Sequence, residues 1–157
     1  MRILGIDPGT AITGFGIVEK KGSKLRFIDC GIIKPKTGLT LAQKLRYIYQ
    51  EISRIIKNGN LDIAVVEDIF FYKNFRSAVK IGEARSIAIL AAANQDLEVK
   101  EYLPTEIKQS ITGNGRASKV QVQNMVKRLL GFSKTPFSDA ADALAVAICY
   151  CHKSVNS

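Results

Sequence analysis

The chain has no tryptophan, one histidine, three cysteines and four prolines. With a single imidazole and few thiols, a zinc or copper centre built on nitrogen and sulfur donors has little to draw on. Cys30, Cys149 and Cys151 are odd in number and badly spaced for a disulfide scaffold, which fits a reducing, cytoplasmic setting. Cys149-x-Cys151-His152 has the outline of a metal motif but lacks a second ligand pair. On a helix the two thiols would point about 200° apart, so both cysteines read as structural. Long apolar runs are also missing. The stretches Ser86 to Gln95 and Ala143 to His152 fall short of the roughly 20 residues that span a bilayer. The N-terminus runs straight into a strand with no charged-then-apolar leader, so neither secretion nor membrane insertion is expected. Acidic residues are scarce as well: 14 Asp and Glu face 23 Lys and Arg, for a formal charge of +9. That excess attracts polyanions, nucleic acid foremost.

What is present is ordinary globular material, 46% hydrophobic and 24% charged over 157 residues. It reads as one domain spanning 1–157, with a disordered tail over about 153–157. Period-two and continuous apolar runs predict strands at Arg2 to Asp7, Thr13 to Lys20, Lys24 to Ile33, Asp62 to Glu67 and Glu98 to Leu103. Lys21-Gly22-Ser23 makes a tight turn between the second and third, and Asp29, Cys30 and Gly31 weaken the end of the third. Leu41, Leu45, Ile48, Ile52, Ile55 and Ile56 recur on one face of a helix from Leu41 to Lys57, stopped by Asn58-Gly59-Asn60. A helix rich in small residues covers Phe75 to Ala93. Pro104 starts a short one to about Thr112. Ser118, with Gln121 three residues later, opens another that ends near Leu130-Gly131. The last runs from Ala140 to Cys151. Strands interleaved with helices predict a layered α/β domain.

Four acids interrupt this pattern. Asp7 ends the apolar run Ile3 to Ile6, and Glu67 ends Ile63 to Val66. Asp139 and Asp142 open the otherwise apolar last helix and, three residues apart, share a face. A carboxylate at the end of a buried strand is costly without compensation. In α/β sheets, sites form beyond the carboxyl ends of strands, so parallel first and fourth strands would bring Asp7 and Glu67 together. Carboxylates alone make a hard-oxygen environment suited to Mg²⁺ or Mn²⁺. Two such ions about 3.5–4 Å apart can stabilise both oxygens of an in-line phosphoryl displacement. With a basic chain to hold the phosphate-bearing partner, the reading is a metal-dependent phosphodiesterase. Asp29, Asp62 and Asp68 read as ordinary strand-edge acids.

Further motifs run in order along the chain. They are Gly5-Ile6-Asp7-Pro8-Gly9 with Thr13-Gly14, Glu67 followed by Phe70, and Lys73-Asn74 through Ser77-Ala78 to Lys80-x-Gly82-x-Ala84-Arg85. Then come Val99-x-Glu101-Tyr102, Lys108-Gln109, Gly113-x-Gly115 through Gln121-Val122, and Asp139-Ala140-Ala141-Asp142-Ala143-Leu144-Ala145. With these the chain resembles the bacterial RuvC family of Holliday-junction resolvases from end to end. The resemblance implies an RNase H-like fold with a five-stranded mixed sheet flanked by helices. It implies a homodimer that nicks two symmetry-related strands of a four-way DNA junction during recombination and repair, with branch-migration proteins of the RuvA and RuvB type as partners. It also implies dependence on Mg²⁺, with Mn²⁺ as a substitute and two ions per site. Asp7, Glu67, Asp139 and Asp142 would be the catalytic, metal-holding acids, the same four that the residues themselves single out. Some relatives carry histidine at the position of Asp139, Gly at that of Ser86 and Gln at that of Asp68.

Basic and aromatic residues complete the expected site. Phe70 lies in Phe70-Phe71-Tyr72-Lys73-Asn74, where aromatics interleave with cations in a pattern suited to base stacking and phosphate contact. By resemblance Phe70 stacks at the open junction centre, and Lys108 and Lys119 lie near the scissile phosphate. Arg116, Lys73, Lys80 and Arg85 are further phosphate-contact candidates. On the small-residue helix, Ile81, Ala84, Ala88, Ala91 and Ala92 suit either an ordinary core or the dimer interface. Three rivals stand beside this reading: an actin-like or sugar-kinase ATPase, from Gly5-Ile6-Asp7-x-Gly9-Thr10; a YqgF-type nuclease acting on RNA; and a junction-binding module without catalysis.

Overall fold

Alternation of side chains along a central strand decides how this molecule layers. The computed structural model describes residues 1–69, 75–134 and 136–154. Its elements are β1 (Arg2–Asp7), β2 (Thr13–Lys21), β3 (Lys24–Ile33), α1 (Leu41–Gly59), β4 (Ile63–Glu67), α2 (Phe75–Ala93), β5 (Glu98–Tyr102), α3 (Pro104–Thr112), α4 (Lys119–Leu130) and α5 (Ser138–Lys153). The sheet order is β3-β2-β1-β4-β5. β1, β2 and β3 form an antiparallel meander, whereas β4 lies parallel to both β1 and β5. This is the expected five-stranded mixed sheet.

Ile3, Ile63 and Val65 point to one face, where Ile107, Ile111, Val122, Val126, Leu144 and Ile148 of α3, α4 and α5 cover them. Leu4, Ile6, Ala64 and Val66 point to the other, against Ile48, Ile52 and Ile56 of α1 and Ala88, Ala91 and Ala92 of α2. The sheet is buried on both faces, which is why β1 and β4 read as continuous apolar runs.

Local departures from the sequence expectations have local causes. β3 runs on through Asp29, Cys30 and Gly31 because a bulge between Ile17 and Val18 restores its pairing with β2. β4 starts at Ile63, not Asp62, whose carboxylate is engaged by the Arg2 backbone N–H at 2.6 Å. β5 closes at Tyr102, one residue before Leu103 caps α3. α1 extends to Gly59 and stops at left-handed Asn60. α5 begins two residues earlier than expected and ends two later. Leu41, placed on the buried face of α1 by its spacing, is 47% exposed because it sits in the first turn, beyond the sheet. Ala84, Ala88, Ala91 and Ala92 are fully buried within the subunit, so this alanine stripe serves the core. Ile81 is only partly covered. Cys149 and Cys151 are buried and free, as structural cysteines. No helix of the described residues is long and apolar enough to cross a membrane.

Candidate active site

The same alternation that builds the core aims the acids. Positions 3, 5 and 7 of β1 and 63, 65 and 67 of β4 face α5, and Ile6 pairs with Val66 in parallel register. Asp7 and Glu67 therefore emerge side by side at two carboxyl ends. Thr13, 1% exposed, fixes the loop after Asp7: its hydroxyl donates to the Gly9 carbonyl at 2.7 Å and accepts from the Gly9 N–H at 3.2 Å. α5 brings the third acid, and it can do so because glycines let it lie almost on the sheet. A methyl group at Gly14 would run into the carbonyl oxygen of Asp139, and one at Gly5 into that of Ala143.

Asp7, Glu67 and Asp142 line one cleft of about 270 Å³ together with Lys108, Lys119 and the apolar Pro104, Ile107, Val122 and Ala145. Asp139, in the first turn of α5, is half-buried just outside that lining. Burial pushes the Asp7 carboxyl far above its ordinary value, and the charges of Glu67 and Asp142 push it further. Together these effects favour the protonated form of Asp7. Burial also raises Glu67, against the lowering effect of a hydrogen bond with Asp7 and of Lys108 and Lys119. Asp142 has turned to the opposite wall, where its Oδ2 accepts from Lys119 Nζ at 2.6 Å. Burial works to lower the Lys119 ammonium, but the bond and charge of Asp142 outweigh it and raise the group.

Lining one cleft is not yet coordination. Among the described residues, no three His, Cys, Asp or Glu side chains are gathered so as to hold a metal ion. Asp7 and Glu67 stand at two neighbouring strand ends, while Asp142 is held in an ion pair. Their chemistry nevertheless fits a hard divalent cation, because the donors are all carboxylate oxygens. Asp7 and Glu67 are half-buried and both carboxyls are pushed up, a shift that a cation beside them would oppose.

The remaining expected residues are scattered more widely. Lys108 and Lys119 are on the cleft wall. Arg116 is exposed in the turn that follows α3, and Gln109 braces this turn by donating to the Gly113 carbonyl and accepting from the Gly115 N–H. Lys80 is exposed away from the cleft, in a shallow depression with Leu41, Phe75 and Val79. The half-buried Arg85 guanidinium contacts Asp68 at 3.0 Å and pairs with Glu101, a tie among α2, β5 and the residue that follows Glu67. Phe70 and Lys73, with Phe71, Tyr72 and Asn74, lie outside the described residues. Two contributors escaped the sequence reading. Gly16 makes way for Leu144 as Gly14 does for Asp139, and the signal was a pair of glycines at alternate positions in a strand. Gln123 donates to Asp142 Oδ1 at 3.4 Å and had no signal beyond its spacing from Lys119.

A family model described as crossover junction endodeoxyribonuclease RuvC matches residues 3–150. The chain is 48% identical over 153 residues to a protein of that name from Pelotomaculum thermopropionicum, covering 97% of this chain and 93% of that one. It is 49% identical over 152 residues to another from Caldicellulosiruptor saccharolyticus, covering 96% and 92%. In three dimensions it is similar to Thermus thermophilus RuvC solved in complex with a Holliday junction substrate. The TM-score is 0.92 at 31% identity, over 98% of this chain and 94% of that one.

Proposed function

This chain belongs to the RuvC family of crossover junction endodeoxyribonucleases, and from that membership we propose how its cleft acts. The protein is a Holliday junction resolvase, a metal-dependent endonuclease of DNA recombination and repair that hydrolyses phosphodiester bonds in four-way junctions. Its catalytic acids are Asp7, Glu67, Asp139 and Asp142, and these would hold Mg²⁺, or Mn²⁺ in its place, as two ions per site. Bound there, the ions would supply Lewis-acid stabilisation to the oxygens of an in-line displacement.

What supports the assignment is the convergence of Asp7, Glu67 and Asp142 in one cleft, the first two at the carboxyl ends of two parallel strands, with Lys108 and Lys119 on its wall. The two lysines place positive charge beside the phosphate to be cut. The apolar wall of Ile107, Val122 and Ala145 thins the water around that charge and strengthens it. Arg116, Lys73, Lys80 and Arg85 contact backbone phosphates farther out, and Phe70 stacks at the junction centre. The domain spans residues 1–157 and works in the cytoplasm as a homodimer, with branch-migration proteins of the RuvA and RuvB type as partners. A two-fold axis gives two identical sites, matched to two coordinated nicks in a symmetric junction.

The test is cleavage of a synthetic mobile four-way junction beside a linear duplex of the same sequence, each with Mg²⁺ and with chelator. Paired symmetrical nicks in the junction alone, and only with metal, are expected. Equal cleavage of both DNAs, or preference for RNA, would point to a general nuclease of this fold. Binding without cleavage would leave only a junction-binding module.

A further inference from the structure

Asp142 is gripped from one side by residues one helical turn apart. Lys119 and Gln123 occupy positions i and i+4 of α4 and so share a face. Lys119 takes Asp142 Oδ2 at 2.6 Å, and Gln123 Nε2 takes Oδ1 at 3.4 Å. The same Nε2 donates to Ser138 Oγ at 3.0 Å. An amide nitrogen has two N–H donors, and here both are used, one on a hydroxyl and one on a carboxylate. The reverse orientation would set the amide oxygen against that carboxylate, so the bonding pattern fixes which way the amide lies. α4 itself is firmly seated: Val122 and Val126 are buried in the core beneath it, and Ser118 with Gln121 closes its first turn.

The two grips differ in kind. Lys119 is an exposed, long and charged side chain that also lines the cleft, and its hold on Oδ2 is an ion pair that a competing cation can replace. Gln123 is half-buried, neutral and bonded at once to the start of α5 and to its acid. We infer that Gln123 is a positioning residue: it fixes the plane of the Asp142 carboxylate from behind, so that Oδ2 can exchange Lys119 for a divalent cation without the side chain swinging away. This rests on the metal-dependent reading above. A partner that orients a ligating carboxylate in this way typically changes metal affinity about 10- to 100-fold when removed.

The experiment is calorimetric titration of the full chain with Mn²⁺, comparing wild type, Gln123→Met and Asp142→Asn, with thermal unfolding in chelator as a check on folding. Gln123→Met keeps the volume and removes the donor. It should bind Mn²⁺ about tenfold more weakly while unfolding at the wild-type temperature. Its cleavage should recover toward the wild-type rate as Mg²⁺ is raised, a shift in metal requirement that simple loss of structure would not produce. Unchanged Mn²⁺ affinity in folded Gln123→Met, with affinity lost in Asp142→Asn, overturns the inference and leaves the metal-dependent reading standing. No Mn²⁺ binding by wild type overturns both. Should Gln123→Met fail to fold, Gln123→Asn decides, since it keeps a polar amide but shortens its reach to Asp142: weaker Mn²⁺ binding supports the inference, and wild-type affinity overturns it.

Discussion

Asp7 and Glu67 stand half-buried and side by side, an arrangement that opposes their ionising together. Asp7 is pushed up to about 9 from an ordinary 3.8, with burial the largest cause and the Glu67 charge next. An unfolded Asp releases its proton near 3.8, whereas the folded one keeps it. The favourable contribution of the protonated group is therefore complete below about 3.8 and is lost as pH rises toward 9. Asp7→Asn carries no such liability. In chelator it should unfold at a higher temperature than wild type at pH 8, with little difference at pH 4; differential scanning calorimetry at the two pH values checks this. The same substitution should abolish junction cleavage and spare junction binding in a gel-shift assay. Loss of both together would mark Asp7 as a folding residue.

Between elements, the decisive fit is α5 on the sheet. β1 and β2 place glycine at positions 5, 14 and 16, under the backbone of α5 or the side chain of Leu144. Gly14→Ala sets a methyl against the Asp139 carbonyl, and backbone cannot swing aside as a side chain can. Overpacking of this kind costs about 1–3 kcal/mol, to be read from the urea midpoint. Because the displaced segment carries Asp139 and Asp142, the cleavage rate should fall well beyond what the folded fraction explains. At this scale much was legible: Ser118 with Gln121, Pro104 and the 48-52-56 spacing marked three helices correctly. The Arg85 tie to Asp68 and Glu101 was not legible, since its partners are 17 and 16 residues away and only the pairing of β4 with β5 joins them.

Taken whole, the molecule carries a charge of +9 and meets a polyanion. Neutralising several phosphates releases counterions, so junction affinity should fall about 10³-fold or more between 50 and 200 mM salt, as measured by fluorescence anisotropy. Association between subunits should rest on what the core leaves uncovered. α2 spends its alanines inward and exposes Phe75, Val79 and Leu90, at 79%, 43% and 48%. A Val79→Asp, Leu90→Asp double variant should sediment as a monomer and cut junctions without paired, symmetrical nicks. A dimer undisturbed by both changes would move the interface to another surface.

The sequence by itself determined the strands, the helices and the identity of the acids, because burial and periodicity are written residue by residue and an acid in an apolar run stands out against them. Only the tertiary structure decided how those acids are held. Asp7 and Glu67 converge because parallel pairing sets two strand ends side by side. Asp142 is shared by Lys119 and Gln123 because α4 packs across α5. Arg85 is paired with charges brought to it from β5 and from the residue after β4. Each of these depends on distances between segments far apart in the chain, and such distances exist only once the layers have packed.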